Sequence, residues 1–114
     1  MDEPKWIRQD AVFIAHARQL ERHGGIAGVR DHGLLESAIL RPRSLLAYGK
    51  PDLAALAACY ANGIVRNHPF LDGNKQAALA TCRAFLALNG FTVDATQDEK
   101  AAEIPKFAAS ETTE

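Results

Sequence analysis

Residues 52–90 read DLAALAACYANGIVRNHPFLDGNKQAALATCRAFLALNG. Two alanine-rich runs flank a short connector, and each run is bounded by residues that start or stop helices. Asp52 is placed to cap the first run, and the lack of bulky polar side chains through Ala61 predicts a helix over residues 53–67 that is buried on most sides. Pro69 bars His68 from continuing it. A second helix is expected over residues 74–89, with Leu79, Cys82, Phe85, Leu86 and Leu88 as its apolar set and Asn89-Gly90 as its stop. This pair reads as the centre of an all-α domain.

The composition agrees. Alanine occurs 21 times and leucine 12 times against four valines and six isoleucines, a balance that favours helix because small and unbranched side chains lose little rotamer freedom there. The 114 residues, 47% hydrophobic and 24% charged, suit a single domain over residues 1–114 with its own core. A net charge of -1 gives no bulk field toward nucleic acid or an anionic membrane, so charge that handles phosphate has to be local. Cys59 and Cys82 lack the close spacing of a zinc or redox pair and read as small core residues. No apolar run approaches the ~18 residues of a membrane span, and Met1 to Trp6 is charged, so a cytoplasmic protein is expected.

Outward from the central pair, Val12, Phe13, Ile14, Ala15 and Leu20 predict a helix over residues 8–23, stopped by Gly24-Gly25. His23 falls in its last turn, where it suits the helix dipole, and His16 stands alone with no second ligand one turn on. Asp31 is placed to cap a short helix carrying Leu34, Leu35, Ala38 and Ile39; Pro42 is expected to open a new turn, and residues 43–48 a further short helix. Gly49-Lys50-Pro51 then breaks the chain as a hinge or flap. Toward the other end, Phe91 to Val93 reads as extended. Thr96 to Glu99 reads as a capping box, and Pro105 kinks or ends the helix that follows. The polar tail 110–114 has no apolar anchor, so the last C-terminal helix is expected to be lacking.

The connector His68-Pro69-Phe70-Leu71-Asp72-Gly73-Asn74-Lys75-Gln76 packs a base, a carboxylate, a glycine, an amide and a cation into nine residues. Phe70 is suited to pin it to the core. Gly73 permits a positive φ, and the N–H groups of residues 73–76 would point out at a helix start, where they and the macrodipole attract phosphate. Lys75 adds a full charge. Asp72 is placed for a Mg²⁺ that bridges phosphates, and His68 for taking a proton from an attacking hydroxyl. The parts match phosphoryl or nucleotidyl transfer. The same residues also read as an ordinary turn and helix cap, whereas zinc is disfavoured because Pro69 and Gly73 prevent the regular helix that would align His68 with Asp72.

The string from His68 resembles the Fic motif, H-P-F-x-D-G-N-(G or K)-R, and Lys75 at the variable place resembles the Doc branch of that superfamily. The stretch from His23 to Gly28, then Asp31 and Gly33, Leu45 to Tyr48, Arg66, Phe85-Leu86 and Asn89-Gly90 extend the likeness over about residues 8–110. It implies a Fic fold, a bundle of about five to six helices with the motif loop between two central ones. It also implies a toxin that transfers the γ-phosphate of ATP to a hydroxyl of a translation factor such as elongation factor Tu, restrained by the C-terminal segment of a Phd-like antitoxin. In that family His68 would be the base, Phe70 the loop anchor and Asp72 the Mg²⁺ ligand. Gly73 and Asn74 would form the phosphate cradle and Lys75 contact phosphate, while Arg66 would support phosphate or target binding.

Gln76 departs from the pattern. It puts a neutral amide where the motif has an arginine able to grip phosphate bidentately, a change worth roughly ten- to a hundredfold in affinity or rate. Three activities stay open on the sequence: kinase, AMP transfer as in other Fic proteins, and a catalytically weakened module that binds an antitoxin.

Overall fold

The computed structural model describes residues 3–91. Over these the chain folds into four helices: α1 (Gln9–His23), α2 (His32–Tyr48), α3 (Leu53–Asn67) and α4 (Asn74–Leu88). The fold is all-α, as composition predicts, but with fewer helices than expected. The extended segment beyond Phe91 and the capped helix from Thr96 lie outside the described residues.

Helix α3 packs between α2 and α4, and α1 lies on α4. Asp52 caps α3 through a carboxylate that accepts the Ala55 N–H at 2.8 Å. Leu56, Ala57, Tyr60 and Ile64, at one- and two-turn spacing, are wholly buried and face Leu35 and Ala38 of α2 and Ala77, Cys82 and Phe85 of α4 within one core. Tyr60 and Phe85 lie 5.1 Å apart between ring centroids, and the Tyr60 hydroxyl accepts the Ile7 N–H, so its polar end is satisfied inside the core. Burial of α3 is less complete than its alanine content predicts, because Ala55, Ala58 and Cys59 are only half-buried.

Two expectations on the flanking helices are corrected. Ile14 is 53% exposed, and the buried stripe of α1 runs instead through Val12 and His16, one turn apart. Pro42 opens no new turn: the two short helices expected around it are the single helix α2, with Pro42 buried in its interior. Proline at residue 42 removes one backbone hydrogen bond, the one to the Ala38 carbonyl. Packing on both sides of that point offsets the loss. Gly63 of α3 approaches so closely that a Cβ there would stand 3.2 Å from the Ala38 Cβ and 3.5 Å from the same carbonyl. Asp31 caps α2 as predicted, accepting the Leu34 N–H at 2.9 Å.

Burial raises the Cys82 thiol to about 12 from an ordinary 9.0. The half-buried Cys59 is raised by the same cause and partly lowered by Arg41. At pH 8 a thiol reagent should therefore modify Cys59 slowly and Cys82 only after unfolding. Because Cys82 keeps its proton in the folded state while an unfolded thiol loses it, its contribution to stability is full below pH 9 and is lost as pH rises toward 12. Urea titrations of the wild type and Cys82→Ala should diverge less at pH 10.5 than at pH 8; an unchanged difference would contradict the assignment.

Candidate functional site

The loop between α3 and α4 is held from three directions. Helix α3 ends at His68, whose φ of 53° makes it the one non-glycine residue in the left-handed region among those described. Such a conformation costs on the order of 1–2 kcal/mol and persists only where neighbours impose it. Arg30 supplies much of that restraint. Its guanidinium Nε donates to the His68 carbonyl at 2.7 Å and an Nη to the Asn67 carbonyl at 2.9 Å, while the Arg30 and Asp31 N–H groups both donate to the Pro69 carbonyl. Val29 pairs with Phe70 in an antiparallel bridge, and the Leu71 N–H reaches the Gly28 carbonyl. Residues 28–31 thus run as a strap along the loop.

Beneath the strap, Phe70 is buried to 1% exposure, as an anchor should be. Its ring stacks on His16 with centroids 3.7 Å apart and planes within 10°, and Phe13 meets it edge-on. The His16 Nε2 lies 2.8 Å from the Asp72 carbonyl; a carbonyl only accepts, so Nε2 carries the proton. Asn74 closes the loop on itself, accepting the Phe70 N–H on Oδ1 and donating from Nδ2 to the Phe70 carbonyl, both at 2.9 Å. The Asn74 side chain is thereby buried and spent on the loop. Only its backbone N–H is left for a phosphate, a narrower part than membership of a cradle suggests.

Gly73 adopts φ 75° and caps α4, whose first intrahelical bond runs from Ala77 N–H to the Gly73 carbonyl. The N–H groups of Asn74, Lys75 and Gln76 precede that bond and form the positive end of the helix. The Gly73 N–H does not join them, because it donates to Asp72 Oδ1 at 3.0 Å, while the Ile26 N–H donates to Oδ2 at 3.1 Å. Asp72 is otherwise exposed, and each oxygen keeps lone pairs toward solvent. Gly25, at φ 128°, lies so close that a Cβ there would stand 3.0 Å from Asp72 Oδ2; any larger residue would displace the carboxylate. Among the described residues no three His, Cys, Asp or Glu side chains gather to hold a metal. A cation at Asp72 would therefore draw its other ligands from water and phosphate, which is the habit of Mg²⁺.

A cleft of about 250 Å³ opens between the end of α1 and the start of α4, walled by Gln19, Leu20 and His23 on one side and by Asp72, Gly73 and Gln76 on the other. Gln76 is half-buried on this wall. The structure thus brings Asp72, Gly73 and Gln76 together. His68 is exposed at the far end of the loop, and Lys75 is exposed on the first turn of α4 outside the cleft wall. Arg66 is not among the cleft residues either: it lines a groove between α2 and α3.

Sequence reasoning missed His16 and Arg30. The first had a signal, since it continues the Val12 and Leu20 stripe at four-residue spacing; the second had none, because its partners are backbone carbonyls of a segment 37 and 38 residues away.

An α-helical domain whose motif loop leaves an exposed histidine, a carboxylate and a helix N-terminus on its surface defines a class, and residues 6–86 match the Fic/DOC family. The chain belongs to that family, as a Doc-like member. It is 41% identical over 83 residues to a protein named Toxin Doc from Mycolicibacterium smegmatis, covering 70% of this chain and 63% of that protein. It is 34% identical over 88 residues to Protein kinase doc of Escherichia phage P1, covering 76% of this chain and 70% of that one. The chain thus spans somewhat under two thirds of the first of these relatives. No helix among the described residues is long and apolar enough to cross a membrane.

The packing makes a stability prediction. His16→Ala removes the ring stacked on Phe70 and leaves the Asp72 carbonyl without its donor, and should cost about 2 to 4 kcal/mol in urea unfolding. Asn74→Asp retains the acceptor for the Phe70 N–H but cannot donate to its carbonyl, and should cost about 1 to 3 kcal/mol. Wild-type stability in either variant would refute this account of the loop.

Proposed function

We propose that this chain is a Doc-like toxin domain that transfers the γ-phosphate of ATP to a hydroxyl side chain of a protein target. The observation that carries this reading is the loop pinned by Phe70, His16 and Asn74, which presents Asp72, Gly73 and Gln76 on one cleft beside the free N–H groups of α4. Three N–H donors and a helix dipole in a fixed direction favour a phosphate chain over a neutral ligand. A translation factor of the elongation factor Tu kind as target, and a Phd-like antitoxin as restraining partner, follow from the family resemblance.

In this mechanism the His68 imidazole accepts the proton of the target hydroxyl as that oxygen bonds to the γ-phosphorus. The bond from the γ-phosphorus to the bridging oxygen breaks, and ADP leaves. Asp72 would hold Mg²⁺, whose charge offsets that of the phosphate oxygens. The N–H groups of residues 74–76 orient the phosphates, and Lys75 meets them from the solvent side of the turn. Gln76 donates one neutral hydrogen bond where the family motif has a cation, so the cradle works below the strength that an arginine would give.

AMP transfer is the second reading, favoured by the half-buried position of Gln76 on the cleft wall, since a site with Lys75 outside that wall leaves room for the nucleotide in the opposite direction. ATP labelled in the α or γ position separates the two when a cell extract serves as target source: γ-label on a protein supports the kinase and α-label the AMP transferase. His68→Ala should abolish labelling without loss of fold, because the exposed side chain contributes little packing. Asp72→Asn should abolish the Mg²⁺ dependence of ATP binding. Gln76→Arg should tighten ATP binding by about tenfold; no change would place residue 76 away from the phosphates, and labelling by the His68→Ala protein would end the proposed role of His68.

A further inference from the structure

Three successive carbonyls at the end of α3 turn to one pair of residues. The Asn67 carbonyl accepts from an Arg30 Nη at 2.9 Å, the His68 carbonyl from Arg30 Nε at 2.7 Å, and the Pro69 carbonyl from the N–H groups of Arg30 and Asp31 at 2.6 and 3.0 Å. The last carbonyls of a helix have no partner within it and carry the negative end of its dipole. A guanidinium suits them, because its donors form a planar fork that spans two acceptors. Arg30 is held in turn: its own N–H is fixed on Pro69, and Asp31, next in the chain, caps α2.

The clamp opposes the local preference of His68. At φ 53° and ψ 52° a residue with a Cβ is strained, and the following proline favours extended backbone at residue 68, roughly 170° away in φ. Both preferences therefore pull His68 in the same direction once Arg30 is removed. Its neighbours cannot follow, since the His68 N–H is bonded to the Ile64 carbonyl at 3.0 Å on one side and Pro69 and Phe70 are buried on the other. With both flanks anchored, the backbone angles at residue 68 decide the direction in which its Cβ leaves the chain. The phosphate-facing half of the loop has other supports, Phe70 on His16 and Asn74 on the Phe70 backbone, and none of these bonds involves Arg30.

We infer that Arg30 is a positioning residue for the base: its guanidinium clamps the Asn67 and His68 carbonyls so that the His68 imidazole faces the acceptor hydroxyl, and it takes no part in binding ATP. The inference rests on the proposed role of His68 as proton acceptor. A direct contact of Arg30 with the phosphates fits less well, because Nε and one Nη are already spent on carbonyls and Arg30 is not on the wall of the cleft formed with Asp72, Gly73 and Gln76.

The test compares the wild type with Arg30→Ala, Arg30→Lys and His68→Ala, each as the full chain, using labelled ATP and a cell extract as target source. Arg30→Ala should lower the labelling rate at saturating ATP by about tenfold or more, while the ATP concentration for half-maximal rate stays that of the wild type. Arg30→Lys keeps the charge but cannot span two carbonyls, and its rate should fall between the two. Methylguanidinium, kept below concentrations that move the urea midpoint, should restore part of the Arg30→Ala rate and none of the His68→Ala rate. In carbon-13 spectra the His68 Cα and Cβ shifts should move from left-handed to extended values in Arg30→Ala and part of the way in Arg30→Lys, with those of Asn74 to Ala77 unchanged. Should Arg30→Ala fail to fold, the rate and the His68 shifts of Arg30→Lys decide. A raised half-saturating ATP concentration, an undiminished rate in the arginine variants, or unmoved His68 shifts would overturn the inference and leave the His68 reading intact. Labelling by His68→Ala would overturn that reading, and this inference with it.

Discussion

Phe70 is the constraint on which the site depends. A loop that exposes a histidine, a carboxylate and a row of N–H groups holds them in a fixed relation only if it is rigid, yet every polar group in it favours water. Burying one aromatic ring between His16 and Phe13 fixes the middle of the loop, and the reciprocal bonds between Asn74 and the Phe70 backbone satisfy the peptide groups that go in with it. What remains outside is then held in direction by what is inside.

The arrangement divides labour between inner and outer polar groups. Asn74 and His16 are polar residues used as structure, each satisfied at the loop backbone and buried to 5% exposure. Asp72 and His68, on the same short stretch, are left to solvent. Arg30 belongs to the first group by function and to the second by exposure: its guanidinium is at the surface, but its bonds go to the carbonyls of Asn67 and His68 and help hold His68 in a conformation that a non-glycine residue rarely adopts. Backbone strain at His68 persists because the surrounding contacts determine the backbone more strongly than the residue's own preference.

The helical frame serves the same end with inexpensive parts. Alanine and glycine on α3 let α2 and α4 approach closely, and the close approach at Gly63 and Ala38 tolerates the hydrogen bond that Pro42 removes. The same small residues leave shallow relief on the outer face, so the α2–α3 groove between Arg41 and Arg66 is a by-product of the packing that keeps the motif helices together.

How much of this was legible beforehand depends on the range over which each feature acts. The helices α1, α3 and α4, the Asp31 and Asp52 caps, the Phe70 anchor and the Gly73 turn could each be read from the residues immediately around them, because caps, proline and apolar spacing act within about one or two turns. The unbroken α2 could not, since propensity assigns Pro42 a break and only contact with α3 reverses it. Nor could the roles of His16 and Arg30, or the separation of Arg66 from the cleft holding Gln76: these depend on which segments distant in sequence meet in space. Local chemistry determined which residues could handle phosphate; the packing of α1 and the 28–31 strap against the loop decided which of them face the same cleft, because a side chain's direction is set by the backbone that neighbours hold in place.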